Sequence, residues 1–78
     1  MSNLIEETYK TMSNKGFTYI ARDYNGDLFL YKQKPIKKET SWYTPSLKGF
    51  ISITELEKNS KVTFPVKWSD KEPYCFVK

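Results

Sequence analysis

Phe17-Thr18-Tyr19-Ile20-Ala21-Arg22-Asp23-Tyr24-Asn25-Gly26-Asp27-Leu28-Phe29-Leu30-Tyr31-Lys32 decides the fold. Two β-prone runs flank Asn25-Gly26, the strongest short hairpin signal a sequence carries. Two registers compete. A two-residue turn pairs Arg22 with Phe29. A type I turn with a bulge at Gly26 pairs Arg22 with Leu28 and suits Asp23 at the first turn position. The second register is preferred. It puts Ile20, Leu28 and Leu30 on one face and Tyr19, Ala21, Phe29 and Tyr31 on the other. Both faces are then largely apolar, so each must be covered or must bind something.

Upstream, residues 1–16 predict an amphipathic helix. Asn3 is a suitable N-cap, Glu6 and Glu7 favour the positive end of the dipole, and Gly16 is the expected left-handed terminator. Leu4, Ile5, Thr8, Tyr9 and Met12 fall on one face at helical spacing, ready to pack on a sheet.

Downstream, the signals are shorter. Pro35 and Pro45 bracket a short strand around Ser41-Trp42-Tyr43, and Phe50-Ile51-Ser52-Ile53 reads as another. Thr54-Glu55-Leu56-Glu57 is a capping box for a single helical turn that Asn59-Ser60 would end. Val62, Phe64, Val66 and Trp68 alternate with polar residues and Pro65, which predicts a strand at an edge position or with a ladder break at Pro65, and Trp68 in the core. Ser69 to Pro73 reads as a turn, and Tyr74-Cys75-Phe76-Val77 as a final strand with Cys75 a small apolar member. The expected architecture is one α+β domain over residues 1–78. Its N-terminal helix lies on a small, mostly antiparallel sheet of four or five short strands in meander-like order.

Composition narrows function mainly by exclusion. The 78-residue chain has no histidine and one cysteine. The usual neutral-pH base, nucleophile activator and metal ligand are therefore missing, and no zinc site or internal disulfide can be assembled. Paired carboxylates from Asp23, Asp27, Asp70 and Glu72 are the remaining catalytic option, but a domain this small seldom has a cleft deep enough to tune them. Gly16, Gly26 and Gly49 are isolated, so no phosphate-cradling loop is present. Asp23 to Asp27 lacks the further ligands of a calcium loop and reads as a hairpin tip. The longest apolar run, Leu28 to Tyr31, is far too short to span a bilayer, and the N-terminal residues do not read as a secretory signal. The expectation is a soluble cytoplasmic protein without cofactor, metal or catalytic residues.

Charge is unevenly placed. The net charge of +4 equals that of residues 32–48 alone, which hold five lysines and one glutamate. In that segment Lys32, Lys34, Lys37 and Lys38 stand near Trp42 and Tyr43, with Tyr31 and Arg22 contributed by the hairpin. Those eight residues are the candidate binding set. Lysine with aromatic anchors suits docking on an acidic patch of a partner protein. The same cations and planes suit single-stranded nucleic acid, the alternative reading, although arginine occurs only once. A solvated loop needs no partner at all. Oligomeric state is not encoded in any feature of the sequence.

Ala21-Arg22-Asp23 followed by Gly26 and Leu28, then Lys34-Pro35, Trp42, Phe64-Pro65, Trp68, Asp70, Glu72 and Pro73, resembles a loose group of small proteins encoded by phages and prophages of Gram-positive bacteria. The likeness spans about residues 17–73. It implies a setting, an accessory protein that binds host or defence machinery inside a bacterial cell, and it transfers no functional residue.

Overall fold

A computed structural model describes residues 3–45 and 49–77. The chain folds as α+β, with α1 (Leu4–Asn14), β1 (Tyr19–Arg22), β2 (Leu28–Tyr31), β3 (Ile36–Lys37), β4 (Trp42–Tyr43), β5 (Phe50–Ser52), α2 (Thr54–Ser60) and β6 (Tyr74–Cys75). Four strands form an antiparallel sheet in the order β5-β2-β1-β6, while β3 and β4 form a separate two-stranded ribbon. The expected meander is therefore interrupted. After the β1–β2 hairpin the chain leaves the sheet, builds the ribbon and re-enters at the far edges.

Hairpin chemistry sets the register. Gly26 N–H donates to Asp23 C=O at 2.9 Å, Asp23 N–H to Asp27 C=O at 2.8 Å, and Arg22 lies opposite Leu28. Gly26 has φ +96°, as the bulge requires. Helix α1 is closed in similarly local fashion. Asn3 Oδ1 accepts from Glu6 N–H, and Gly16 at φ +96° lets Phe17 N–H reach Met12 C=O and Gly16 N–H reach Ser13 C=O. That bond pair is a Schellman ending. The predicted helix residues Met1 and Ser2 lie outside the described residues.

The two sheet faces are covered differently. Ile20, Leu28 and Leu30 are buried with Phe17, Ile53, Phe64, Val66 and Phe76, and Ile5, Tyr9 and Met12 of α1 pack against them. On the opposite face Ala21, Tyr31 and Trp42 are buried, with Tyr19, Phe29 and Trp68 against them. Burial of these eleven apolar side chains, at roughly 1.5–3 kcal/mol for each of the larger ones and less for Ala21, is the main stabilising contribution.

Two expectations are corrected by tertiary bonds. Residues 62–68 form no strand. Pro65 sits in a tight turn in which Val66 N–H donates to Phe64 C=O at 2.9 Å, so Phe64 and Val66 both enter the core. Their remaining polar groups are satisfied by side chains instead of a ladder. Arg22 donates from Nε to Val66 C=O at 2.8 Å and from Nη2 to Phe64 C=O at 3.3 Å, and Phe64 N–H donates to Glu57 Oε2 at 2.8 Å. The expected single helical turn is also longer, running Thr54–Ser60 with Lys61 left-handed at φ 58°. Its capping-box side chains serve other partners. Thr54 Oγ1 accepts from Leu28 N–H at 2.9 Å, and Glu57 forms a two-point pair with Arg22 at 2.9 and 2.7 Å.

Nothing lies within 4 Å of a Cβ added at Gly26, so Gly26→Ala tests backbone strain alone. It should lower stability by about 1–2 kcal/mol in urea unfolding, and an unchanged value would contradict the bulged turn. Glu57 gives a pH test. Arg22 foremost, aided by Phe64 N–H, holds its carboxyl below the ordinary 4.5. The associated stabilisation is complete above that value and is lost as pH falls through the lowered one. Glu57→Gln should therefore cost about 2–3 kcal/mol near neutrality and flatten the acid limb of the stability profile.

Candidate aromatic groove and its basic rim

The structure sorts the eight candidate residues into different jobs. Arg22 projects to the helix side of the sheet, as Lys32 does, and is taken up by Glu57 and three backbone carbonyls. Trp42 is 7% exposed, donates from Nε1 to Arg22 C=O at 3.0 Å and packs edge-on to Trp68. It offers no open plane for a base or a partner. Trp68 is half-buried on the same face, consistent with its expected core position.

Lys37 is folded into this layer. Its Nζ lies 4.3 Å from the centre of the Trp68 ring and 5.7 Å from that of Trp42, and donates to Trp68 C=O and Asp70 C=O. Lys34 pairs at 2.9 Å with Glu72, both side chains well exposed, and Glu72 raises the lysine pKa through that hydrogen bond and its charge. Such pairs contribute little to stability. Lys38 stands over the Tyr43 ring and Lys32 over that of Phe17, both lysines exposed. Lys48 lies outside the described residues.

Ribbon β3–β4 covers only part of the second sheet face. Beside it remains a groove of about 280 Å³ lined by Asp23, Phe29, Tyr31, Trp42, Tyr43, Thr44 and Phe50. Phe50 is 42% exposed and Tyr43 50%. Phe29, Tyr31 and Phe50 form a mutually contacting set with ring centres 6.1–6.4 Å apart. Tyr31 is buried, and desolvation first, then the Asp23 charge, pushes its hydroxyl pKa far up. Asp23 accepts from Trp42 N–H at 3.0 Å. Its carboxyl pKa is raised by desolvation, opposed by that hydrogen bond and reinforced by Asp27.

The groove adjoins an open strand. Lys32 N–H bonds Gly49 C=O, and Ile53 N–H bonds Leu28 C=O. With period two, the backbone of Ile51 faces β2, whereas N–H and C=O of Phe50 and Ser52 face outward. Among the described residues none of those four groups takes a backbone hydrogen bond. All three β5 residues are exposed and none is charged, so the edge lacks the usual protection.

Phe50 and Asp23 lie outside the eight-residue candidate set. In the sequence Phe50 belongs to a short β-prone run and Asp23 to a hairpin tip and to the possible carboxylate pairs, and the return of β5 beside β2 brings Phe50 to the aromatic face. Cys75, read as a small apolar strand residue, is on β6 but exposed. No described helix is long and apolar enough to cross a membrane. Comparison with family models, with curated proteins and with solved structures returns no match.

These placements separate the lysines by stability. Lys37→Ser should cost about 1–2 kcal/mol, having two carbonyl bonds and two ring contacts to lose. Lys34→Ser and Lys38→Ser should leave the melting temperature unchanged. Trp42→Ala should cost about 3–5 kcal/mol by leaving a cavity under the ribbon. Thermal and urea denaturation of the four variants would check the ranking, which fails if Lys37→Ser is as silent as the other two lysine variants.

Proposed function

We propose that the protein is a non-catalytic binding module that takes an extended segment of a partner protein along β5, seating one of its side chains in the aromatic groove. The observation carrying this reading is the adjacency of an unpaired strand edge to a groove whose wall, Phe50, belongs to that strand. Main-chain bonds to Phe50 and Ser52 would supply affinity, and the groove would choose the side chain. Exposed Lys32 and Lys38 favour acidic residues elsewhere on the partner and faster encounter with it. The phage or prophage accessory setting, with a host or defence protein as partner in the bacterial cytoplasm, rests on the resemblance in the sequence.

Nucleic-acid binding is the second reading. It rests on Tyr43, half-exposed with Lys38 over its ring, the remaining pairing of an accessible plane with a cation.

Capture of partners from a Gram-positive bacterial lysate, with and without nuclease, separates the two. A protein retained after nuclease, little affected by moderate salt and lost with Phe50→Ser or Tyr43→Ser, is the expected result. Both side chains are exposed enough that these variants should remain folded. Retention that disappears with nuclease and weakens steeply with salt would transfer the reading to nucleic acid. A captured protein indifferent to both variants would remove the groove from the interface.

A further inference from the structure

Asp23 is the one carboxylate that lines the aromatic groove, and among the described residues it takes part in no ion pair. The two ion pairs among the described residues are Arg22–Glu57 and Lys34–Glu72, and neither involves Asp23. Its Oδ1 accepts from Trp42 N–H, whereas Oδ2 accepts no hydrogen bond among the described residues. The side chain is half-buried. A partly desolvated carboxylate with one unused oxygen costs free energy unless a cation or donor meets it.

Phe29, Tyr31, Trp42, Tyr43 and Phe50 line, with Asp23, a space of about 280 Å³, and Tyr43 and Phe50 are the more open of them. An aromatic ring attracts a cation placed over its face. Lys37 and Lys38 already use the rings of Trp42 and Tyr43, yet neither lysine lines the groove. An aromatic groove holding one carboxylate thus stands beside a lysine-bearing ribbon.

Resting on the β5 docking reading, we propose that the side chain this groove accepts is a lysine of the partner protein, its ammonium directed to Asp23 and its methylene stem laid against Phe29, Tyr31 and Phe50. Three features favour lysine over other occupants. One free carboxylate oxygen suits a single N–H donor, whereas the guanidinium of arginine is best matched by two oxygens. The aromatic rings attract the cation and cover its stem. A carboxylate or phosphate would face Asp23 and the ring faces together. Lys38, whose ammonium stands over the ring of the groove residue Tyr43, in turn favours acidic neighbours of that lysine, so the matching motif is a lysine flanked by Asp or Glu in an extended segment.

Titration of the full chain, followed by backbone and aromatic NMR, with acetyl-Glu-Lys-Glu-amide and with its norleucine counterpart tests this directly. The lysine peptide should shift the signals of Phe29, Tyr31, Tyr43 and Phe50 and bind about tenfold tighter than the norleucine peptide. Asp23→Asn keeps the acceptor for Trp42 N–H, and should bring the lysine peptide down to the norleucine level. Phe50→Leu provides a second variant that keeps apolar volume but removes a ring face, and it should weaken the lysine peptide selectively. Equal binding of the two peptides at the groove would overturn the lysine assignment and leave the docking reading standing. Absence of groove shifts with either peptide would overturn the lysine assignment as well, and the docking reading would then be judged by whether Phe50→Ser and Tyr43→Ser still release the captured partner.

Discussion

The Arg22–Glu57 pair is the constraint on which the rest of the structure depends. Arg22 stands at the end of β1 and Glu57 on α2, and both side chains are about 15% exposed. Between them they satisfy Phe64 N–H, Phe64 C=O, Val66 C=O and Gly26 C=O. A segment with no strand partner would otherwise bring peptide groups toward the core without bonds. With those groups satisfied, Phe64 and Val66 can bury their side chains from an irregular backbone. The pair also joins the hairpin tip to α2, and Thr54 adds a second tie through Leu28 N–H. Helix α2 has no buried residue of its own, so these polar ties, more than hydrophobic packing, hold it in place.

Local signals in the sequence were legible wherever the backbone could answer them locally. The N-cap of α1, its glycine ending, the bulged hairpin and the division of Ile20, Leu28 and Leu30 from Tyr19, Ala21, Phe29 and Tyr31 all follow from nearest neighbours. Failures occurred where a side chain was drawn to a distant partner. Thr54 and Glu57 resemble a capping box because the residue types are the same whether they cap or cross-link. Val62 to Trp68 resembles a strand because alternate apolar residues are also what a turn with two inward side chains requires. A proline-centred turn buries Phe64 and Val66 without any ladder.

The candidate site was partly legible for a related reason. Charge counting picks out the basic stretch, and strand alternation the apolar hairpin face, but counting cannot tell a solvated lysine from an engaged one. Lys37 is consumed by two carbonyls and two indole rings, which makes it part of the folded ribbon. Trp42 does the same for the layer beneath. The ribbon β3–β4 has only two residues in each strand, and such a ribbon needs packing against another element to persist. Trp42 against the sheet, Trp68 against Trp42 and Lys37 across both rings provide it. Residues that looked like a binding surface are therefore the means by which the binding surface is built.

The position of the groove follows from how much cover a chain of this length can make. One face of the four-stranded sheet receives α1, α2 and the Phe64–Val66 segment, and its central residues Ile20, Leu28 and Leu30 are fully buried. Among the described residues the other face receives the short ribbon and Trp68, which cover Ala21 and Tyr31 but leave Phe29 half-buried and Phe50 more open still. Moving the ribbon over Phe50 would draw Trp42 away from Arg22 C=O and Asp23, where its two N–H groups are bonded. Those bonds set where cover ends. The uncovered strip runs alongside the unpaired edge of β5, with the Asp23 carboxylate at its margin. Among the described residues, exposed aromatic side chains, main-chain groups without a backbone bond and a carboxylate without an ion pair thus meet in one place, the combination from which the proposed ligand, an extended chain carrying a cationic side chain, is argued.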